Sequence, residues 1–344
     1  AGVWRIRGGT VMKVLYYHYV RPAPADMPHF RYLHLEDFRA QLDFLGKHHG
    51  FVERADFLEA VRDGTDFPQS MSQGVVMTFD DGFRDHVDYV LPELERRGLW
   101  GMFFIPTGMY ESGELLAPHR AHHLLGVHGG VDMLAALQER ITPDMLVNEH
   151  RKEFSENTYA GQDNDSATSE FKRILNYFLE PAARKATLDS LMVDYCDETA
   201  LFETLYMKPV EIRLLADKGM IVGSHSVSHP VFSTLSPKEQ EREIIDSFDF
   251  LEEASGGLGP RTFCYPYGHS HTYDSDSVRL LGESGCRLAF TAEHRDVTAD
   301  DMTDAPLELP RHDCNTFAHG RASYGPRRPE EDKEEDQMAS QGAP

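Results

Sequence analysis

Strand-forming and helix-forming patterns alternate along most of this chain, and that alternation constrains its fold more than any other feature. Val14–Val20 (VLYYHYV) reads as a strand, and Leu35–Gly50 as a helix with Leu35, Phe38, Leu42 and Leu45 at helical spacing. The run Val75–Phe79 reads as a buried strand, followed by a helix carrying Val87, Val90, Leu91 and Leu94 that stops at Gly98. Trp100–Pro106 and Gly219–Ser226 are further strands, and Ser236–Gly257 is an amphipathic helix opening on Ser-Pro and closing on Gly-Gly. Thr262–Gly268, Arg287–Thr291 and Leu307–Asp313 read as later strands or strand ends. Such an order predicts an α/β fold with a parallel sheet, either open or closed as a barrel. In barrels of this kind the chemistry sits at the C-terminal ends of the strands.

The alternation breaks between about Tyr110 and Lys208. Helical patterns over Val131–Arg140, Ser169–Phe178 and Ala182–Met192, with polar linkers between them, predict a helical insertion over about 110–208. Met12 followed by Lys13 resembles a natural start, so residues 1–11 read as an upstream or cloning-derived extension. From Ser323 onward the sequence is polar, acidic and almost free of large apolar residues, which predicts a disordered tail over 323–344. The main domain is expected over 12–322.

At 344 residues and 40% apolar content the chain can bury a sizeable core. Its net charge of -23 argues against nucleic acid and acidic membranes as partners. No apolar run is long enough to span a membrane, and the run after Lys13 is too short and aromatic for a secretory signal, which favours the cytoplasm. Cys196, Cys264, Cys286 and Cys314 are widely spaced, with no Cys-x-x-Cys pair to signal a zinc–thiolate site.

Chemistry first shows at the end of the Val75–Phe79 strand, where Asp80 and Asp81 stand side by side before Gly82. Adjacent carboxylates repel, and a bound cation offsets that repulsion. The plainer alternative makes them turn residues, one capping the helix that starts near Asp85. Further on, GSHSVSHP (Gly223–Pro230) places His225 and His229 four residues apart just after a strand. If the backbone turns helically there, both imidazoles reach one cation. In FCYPYG (Phe263–Gly268), Pro266 stiffens a turn and Gly268 lets it bend sharply; alone, this is an ordinary strand-to-loop turn.

Together, Thr-Phe-Asp-Asp-Gly (Thr78–Gly82), His-Ser-x-x-His-Pro (His225–Pro230) and Pro-Tyr-Gly (Pro266–Gly268) resemble the motifs of the polysaccharide deacetylases, the NodB-homology domains. The likeness covers roughly residues 12–110 and 210–315 and is closest to the Tyr-Pro-Tyr-Gly branch. It implies a distorted (β/α) barrel of about seven strands. It also implies a divalent transition metal, most simply Zn2+ with Co2+ or Ni2+ as alternatives, on Asp81, His225 and His229. Asp80 would be the general base, and the Tyr267 backbone N–H would face the oxyanion. The substrate class implied is carbohydrate: an amino sugar, oligosaccharide or polysaccharide.

Two features depart from that pattern. Cys264 stands where many members have an Arg that positions the base, and Arg311 is the expected substitute. The late general-acid histidine is assigned to His312, with His294 and His269 as competitors. His18 either faces the site or packs at a strand end. His119, His122 and His123 read as a surface cluster, with a role beside the site as the alternative. The reading is a metal-dependent hydrolase removing an acyl group, most simply N-acetyl, in surface-polysaccharide metabolism. Its alternatives are hydrolysis of an N-formyl, O-acetyl or other C–N bond, and a sugar-binding or scaffold protein that has lost catalysis.

Overall fold

The computed structural model describes residues 11–23, 27–63, 71–146 and 165–324. Seven strands form the parallel part of the main sheet: β1 (Val11–Tyr17), β2 (Val75–Asp80), β3 (Met102–Ile105), β4 (Ile221–Ser224), β5 (Thr262–Cys264), β6 (Leu288–Phe290) and β7 (His312–Asp313). Their spatial order is β7-β1-β2-β3-β4-β5-β6. A parallel bridge between Phe290 and Leu309 joins the β6 edge to the segment leading into β7. Backbone bonds from Leu309 N–H to the Ala289 carbonyl and from Thr291 N–H to the Leu309 carbonyl, both 2.8 Å, secure it. The sheet therefore curls into the expected distorted (β/α) barrel.

Side-chain alternation divides the core in two. Met12, Val14, Val76, Met102, Phe104, Ile221, Leu288 and Phe290 fill the barrel. Leu15, Tyr17, Val75, Met77, Phe79, Phe103 and Val222 face outward under the helices. All six residues of β2 are buried, as a strand covered on both faces must be. Gly223 is required where β4 crosses Phe104: a Cβ there would stand 2.6 Å from the ring.

Two expected strands are displaced. β1 ends at Tyr17, and Val20–Arg21 instead pairs with Arg31–His34 in a separate small sheet. The Leu307–Asp313 strand is divided: Leu309 bridges to β6, while only His312–Asp313 pair with β1. One segment thus serves both edges of the ring. Val11, expected outside the domain, pairs with Thr298. Ser323–Tyr324, where the acidic tail was expected to begin, pair with Tyr32 and Arg31; the rest of that expected tail lies outside the described residues, as do residues 1–10.

Between β3 and β4 the described residues are mostly helical. The helices here include Ala117–His128, Gly130–Gln138, Ser166–Arg173, Pro181–Tyr195 and Glu198–Leu205, and the buried Arg120 ties the first of them to the last two by donating to Asp189 (2.8 Å) and Glu198 (2.7 Å). Helix Pro237–Ser255 starts at a Ser236–Glu239 capping box and ends at the left-handed Gly256, as its sequence indicates. Among the described residues no helix is long and apolar enough to cross a membrane.

Candidate metal and deacylation site

β2 delivers Asp80 and Asp81 to the C-terminal mouth of the barrel, where both carboxylates are buried. They have separate partners. Asp80 receives two parallel hydrogen bonds from Arg311, Nη1 to Oδ1 and Nη2 to Oδ2, each 2.9 Å. Arg311 is itself fixed by donating to the Thr291 carbonyl and the Thr78 hydroxyl, and its guanidinium lies over the Tyr16 ring. Burial pushes the Asp80 pKa up, but Arg311 and then His225 outweigh it and hold the group below its usual value. A carboxylate has about four lone-pair positions, so the guanidinium leaves Asp80 further accepting capacity.

Asp81 faces histidines instead. Its Oδ1 lies 3.6 Å from His225 Nε2 and 3.7 Å from His229 Nε2, too far for hydrogen bonds. Asp81 Oδ1 is buried without a hydrogen-bond partner, and so is His229 Nδ1. His225 Nδ1 sits 2.7 Å from the Cys264 carbonyl, which fixes the proton on Nδ1 and leaves Nε2 as a bare acceptor toward Asp81. Burial lowers the pKa of both histidines, that of His229 to about 3, so both are neutral at neutral pH. Asp81 Oδ1 and His225 Nε2 converge as acceptors, with His229 Nε2 beside them, and such a set fits a divalent cation. The ligating atoms of Asp81, His225 and His229 lie within 4.8 Å of one another. Asp80, His225 and Cys264 also cluster within that distance, but Arg311 already occupies Asp80 and donates to the Cys264 sulfur.

The backbone is bent to make this arrangement. Asp81 (φ 78°), Ser226 (φ 67°), His229 (φ 56°) and Tyr267 (φ 63°) all adopt left-handed conformations that non-glycine residues avoid. Each costs roughly 1–3 kcal/mol, and such strain gathers at functional sites. The His225–His229 loop is held from outside: Glu243 accepts from the Val227 and Ser228 N–H groups, each at 2.8 Å. The Tyr267 ring lies 5.0 Å from that of His229, edge-on.

Three expectations change here. His119 is not a surface residue. It is 1% exposed, with Nε2 3.2 Å from Asp81 Oδ2 and Nδ1 2.5 Å from the Tyr206 hydroxyl. His122 is half-buried against the Tyr19 hydroxyl. His312 is not brought to the site: its Nε2 lies 2.7 Å from Asp296, on the outer side of β7, because Arg311 beside it points inward. The competing His294 and His269 are exposed; His294 lies 3.3 Å from the Tyr16 hydroxyl. His18 does face the site, its Nε2 3.9 Å from Asp81 Oδ2. Sequence reasoning missed Glu243 and Tyr206 altogether.

Residues 69–289 match the family described as Polysaccharide deacetylase. The chain belongs to the polysaccharide deacetylase family. Its fold is similar to that of the Streptococcus pyogenes deacetylase PplD in complex with acetate, with a TM-score of 0.53 and 15% identity over 89% of this chain and 92% of that one. It is also similar to BC0361, a polysaccharide deacetylase from Bacillus cereus, with a TM-score of 0.50 and 12% identity over 89% of this chain. This chain spans 65% of that second structure.

Proposed function

We propose that this protein is a metal-dependent hydrolase that removes an acyl group, most simply N-acetyl, from an amino sugar or glycan of surface-polysaccharide metabolism. The observation that carries it is the division of labour between neighbouring carboxylates: Asp81 Oδ1 without a donor among histidine acceptors, Asp80 clamped by Arg311. A divalent transition metal, with zinc the simplest choice, would supply Lewis acidity to water and to the acyl carbonyl. Asp81, His225 and His229 would hold it. Asp80 would take the proton of the attacking water, with Arg311 fixing the plane of its carboxylate. The Tyr267 backbone N–H would donate to the oxyanion.

The test is metal content and acetate release together. Purified protein is expected to carry about one equivalent of a transition metal, as a site with three protein ligands requires, and to release acetate from N-acetylglucosamine oligomers. His225→Ala is expected to lose both. A protein that binds no metal after reconstitution overturns the mechanism.

His119 would act through Asp81 rather than on substrate. Tyr206 donates to its Nδ1, so Nε2–H points at Asp81 Oδ2 and leaves Oδ1 turned toward the two histidines. Partners that orient a ligand in this way typically change metal affinity by about 10–100-fold when removed. Titrating metal into apo His119→Leu should show such weakening, and Tyr206→Phe a smaller one. Unchanged affinity in His119→Leu removes the residue from the site.

A further inference from the structure

The turn between His225 and His229 is not helical, because Ser226 and His229 are left-handed. The repeating bonds of a helix therefore do not set the spacing of the two imidazoles, and the turn is held from three directions instead. From the end of β3, the Ile105 carbonyl accepts from His225 N–H (3.1 Å), while the Thr107 and Gly108 N–H groups donate to the Ser226 and Val227 carbonyls (3.2 and 2.8 Å). Gly108 is needed for that approach: a Cβ there would stand 2.9 Å from the Val227 oxygen. From the loop's own side chains, Ser224 Oγ accepts from Ser226 N–H and Ser226 Oγ from His229 N–H, both at 3.1 Å.

The third direction is helix Pro237–Ser255. Val227 and Ser228 form the middle of the turn, and their N–H groups both reach Oε2 of Glu243 at 2.8 Å. The Ser228 hydroxyl donates to Oε1 of the same carboxylate at 2.6 Å. One side chain from another element thus takes three bonds midway between the two histidines. One turn further along the helix, Ser247 Oγ lies 2.6 Å from Ser224 Oγ, the group that holds Ser226 N–H. Glu243 and Ser247 are four residues apart and share a helix face. Ile244, Phe248 and Leu251 around them are buried, which fixes that helix against the barrel.

We infer that Glu243 is a positioning residue of the metal site, holding the turn, by its reach rather than its charge, in the strained form that keeps His225 and His229 converging on Asp81. The inference rests on the reading of those two histidines as metal ligands. An ionised carboxylate only accepts hydrogen bonds, so it can satisfy two adjacent N–H groups and a hydroxyl at once. Bonds of this charge-assisted kind are short and strong. Left-handed residues persist only where their surroundings over-determine them. Freed from Glu243, the turn relaxes and the imidazoles lose their fixed spacing.

Two conservative variants separate reach from charge. Glu243→Gln keeps the length: its carbonyl oxygen can accept both N–H groups, and its amide can donate to the Ser228 hydroxyl. Glu243→Asp keeps the charge but withdraws it by one methylene. Co2+ is titrated into each apoprotein and followed by its visible absorption. Glu243→Asp is expected to bind Co2+ about 10–100-fold more weakly, the usual effect of removing a group that orients a metal ligand, and to show an altered absorption band at saturation. Glu243→Gln is expected to match wild type in both. The urea midpoints of the three apoproteins should agree, because the loss lies in ligand placement and not in the fold. Wild-type affinity in Glu243→Asp, a loss in Glu243→Gln as large as in Glu243→Asp, or an apo midpoint that falls in step with affinity overturns the role of Glu243 while the metal site stands. A wild-type protein that takes up no Co2+ overturns the metal reading, and this inference with it.

Discussion

Asp80→Asn is expected to cut acetate release by about 10²–10⁴-fold, the usual contribution of a positioned base, while leaving metal content unchanged. The amide is nearly isosteric with the carboxylate, and one of its two positions can still accept from Arg311. What it cannot do is take a proton from water. The ligating set loses nothing, because Asp81 Oδ1, His225 and His229 converge without help from Asp80. Steady-state release on N-acetylglucosamine oligomers, with metal analysis of the same preparation, checks both halves. Retained activity would move the base elsewhere. Metal lost along with activity would place Asp80 among the ligands, through the second cluster it forms with His225 and Cys264.

The second large effect concerns stability. Arg311 and Asp80 form a buried pair, 2% and 3% exposed, with two bonds of 2.9 Å. Removing one partner of such a pair leaves an uncompensated charge in the interior and costs about 3–5 kcal/mol. Arg311→Met should therefore lower the urea midpoint sharply. Arg311→Lys should recover part of the loss, keeping the charge but not the fork. The informative variant is the double one. Asp80→Asn with Arg311→Met removes both charges, so it should be more stable than Arg311→Met alone. If the two losses simply add, the pair has no coupling energy, and the clamp plays no part in holding the barrel mouth.

What could be read from the sequence was local. Thr78–Gly82 and His225–Pro230 each carry their geometry within a few residues of a strand end, so strand assignment alone places Asp80, Asp81, His225 and His229 at one mouth. Arg311 was also within reach, as the substitute for the Arg that many family members carry where this chain has Cys264, and it does meet Asp80. His312 failed by a rule the sequence already contained: neighbours on a strand face opposite sides, so an inward Arg311 sends His312 outward. His119 and Tyr206 were beyond reach. Their meeting depends on how the insertion folds back, and 87 residues separate them. Glu243 looks like one more acid on an amphipathic helix, and only the strained loop above it gives it work.

The last strand has one more consequence. Every recognition motif lies before residue 290, and so does the family match, yet Asp80 is clamped by Arg311, which comes later. That residue reaches its place only because the segment around it bridges Phe290 on one side and pairs with Leu15 of the first strand on the other. During synthesis, the chain holds all its motifs long before it holds a finished site. Contacts of such sequence separation form late. Asp80 therefore gains its clamp only when the two ends of the domain have met, and a polypeptide stopped after the motifs would carry the family's signature with that carboxylate unheld.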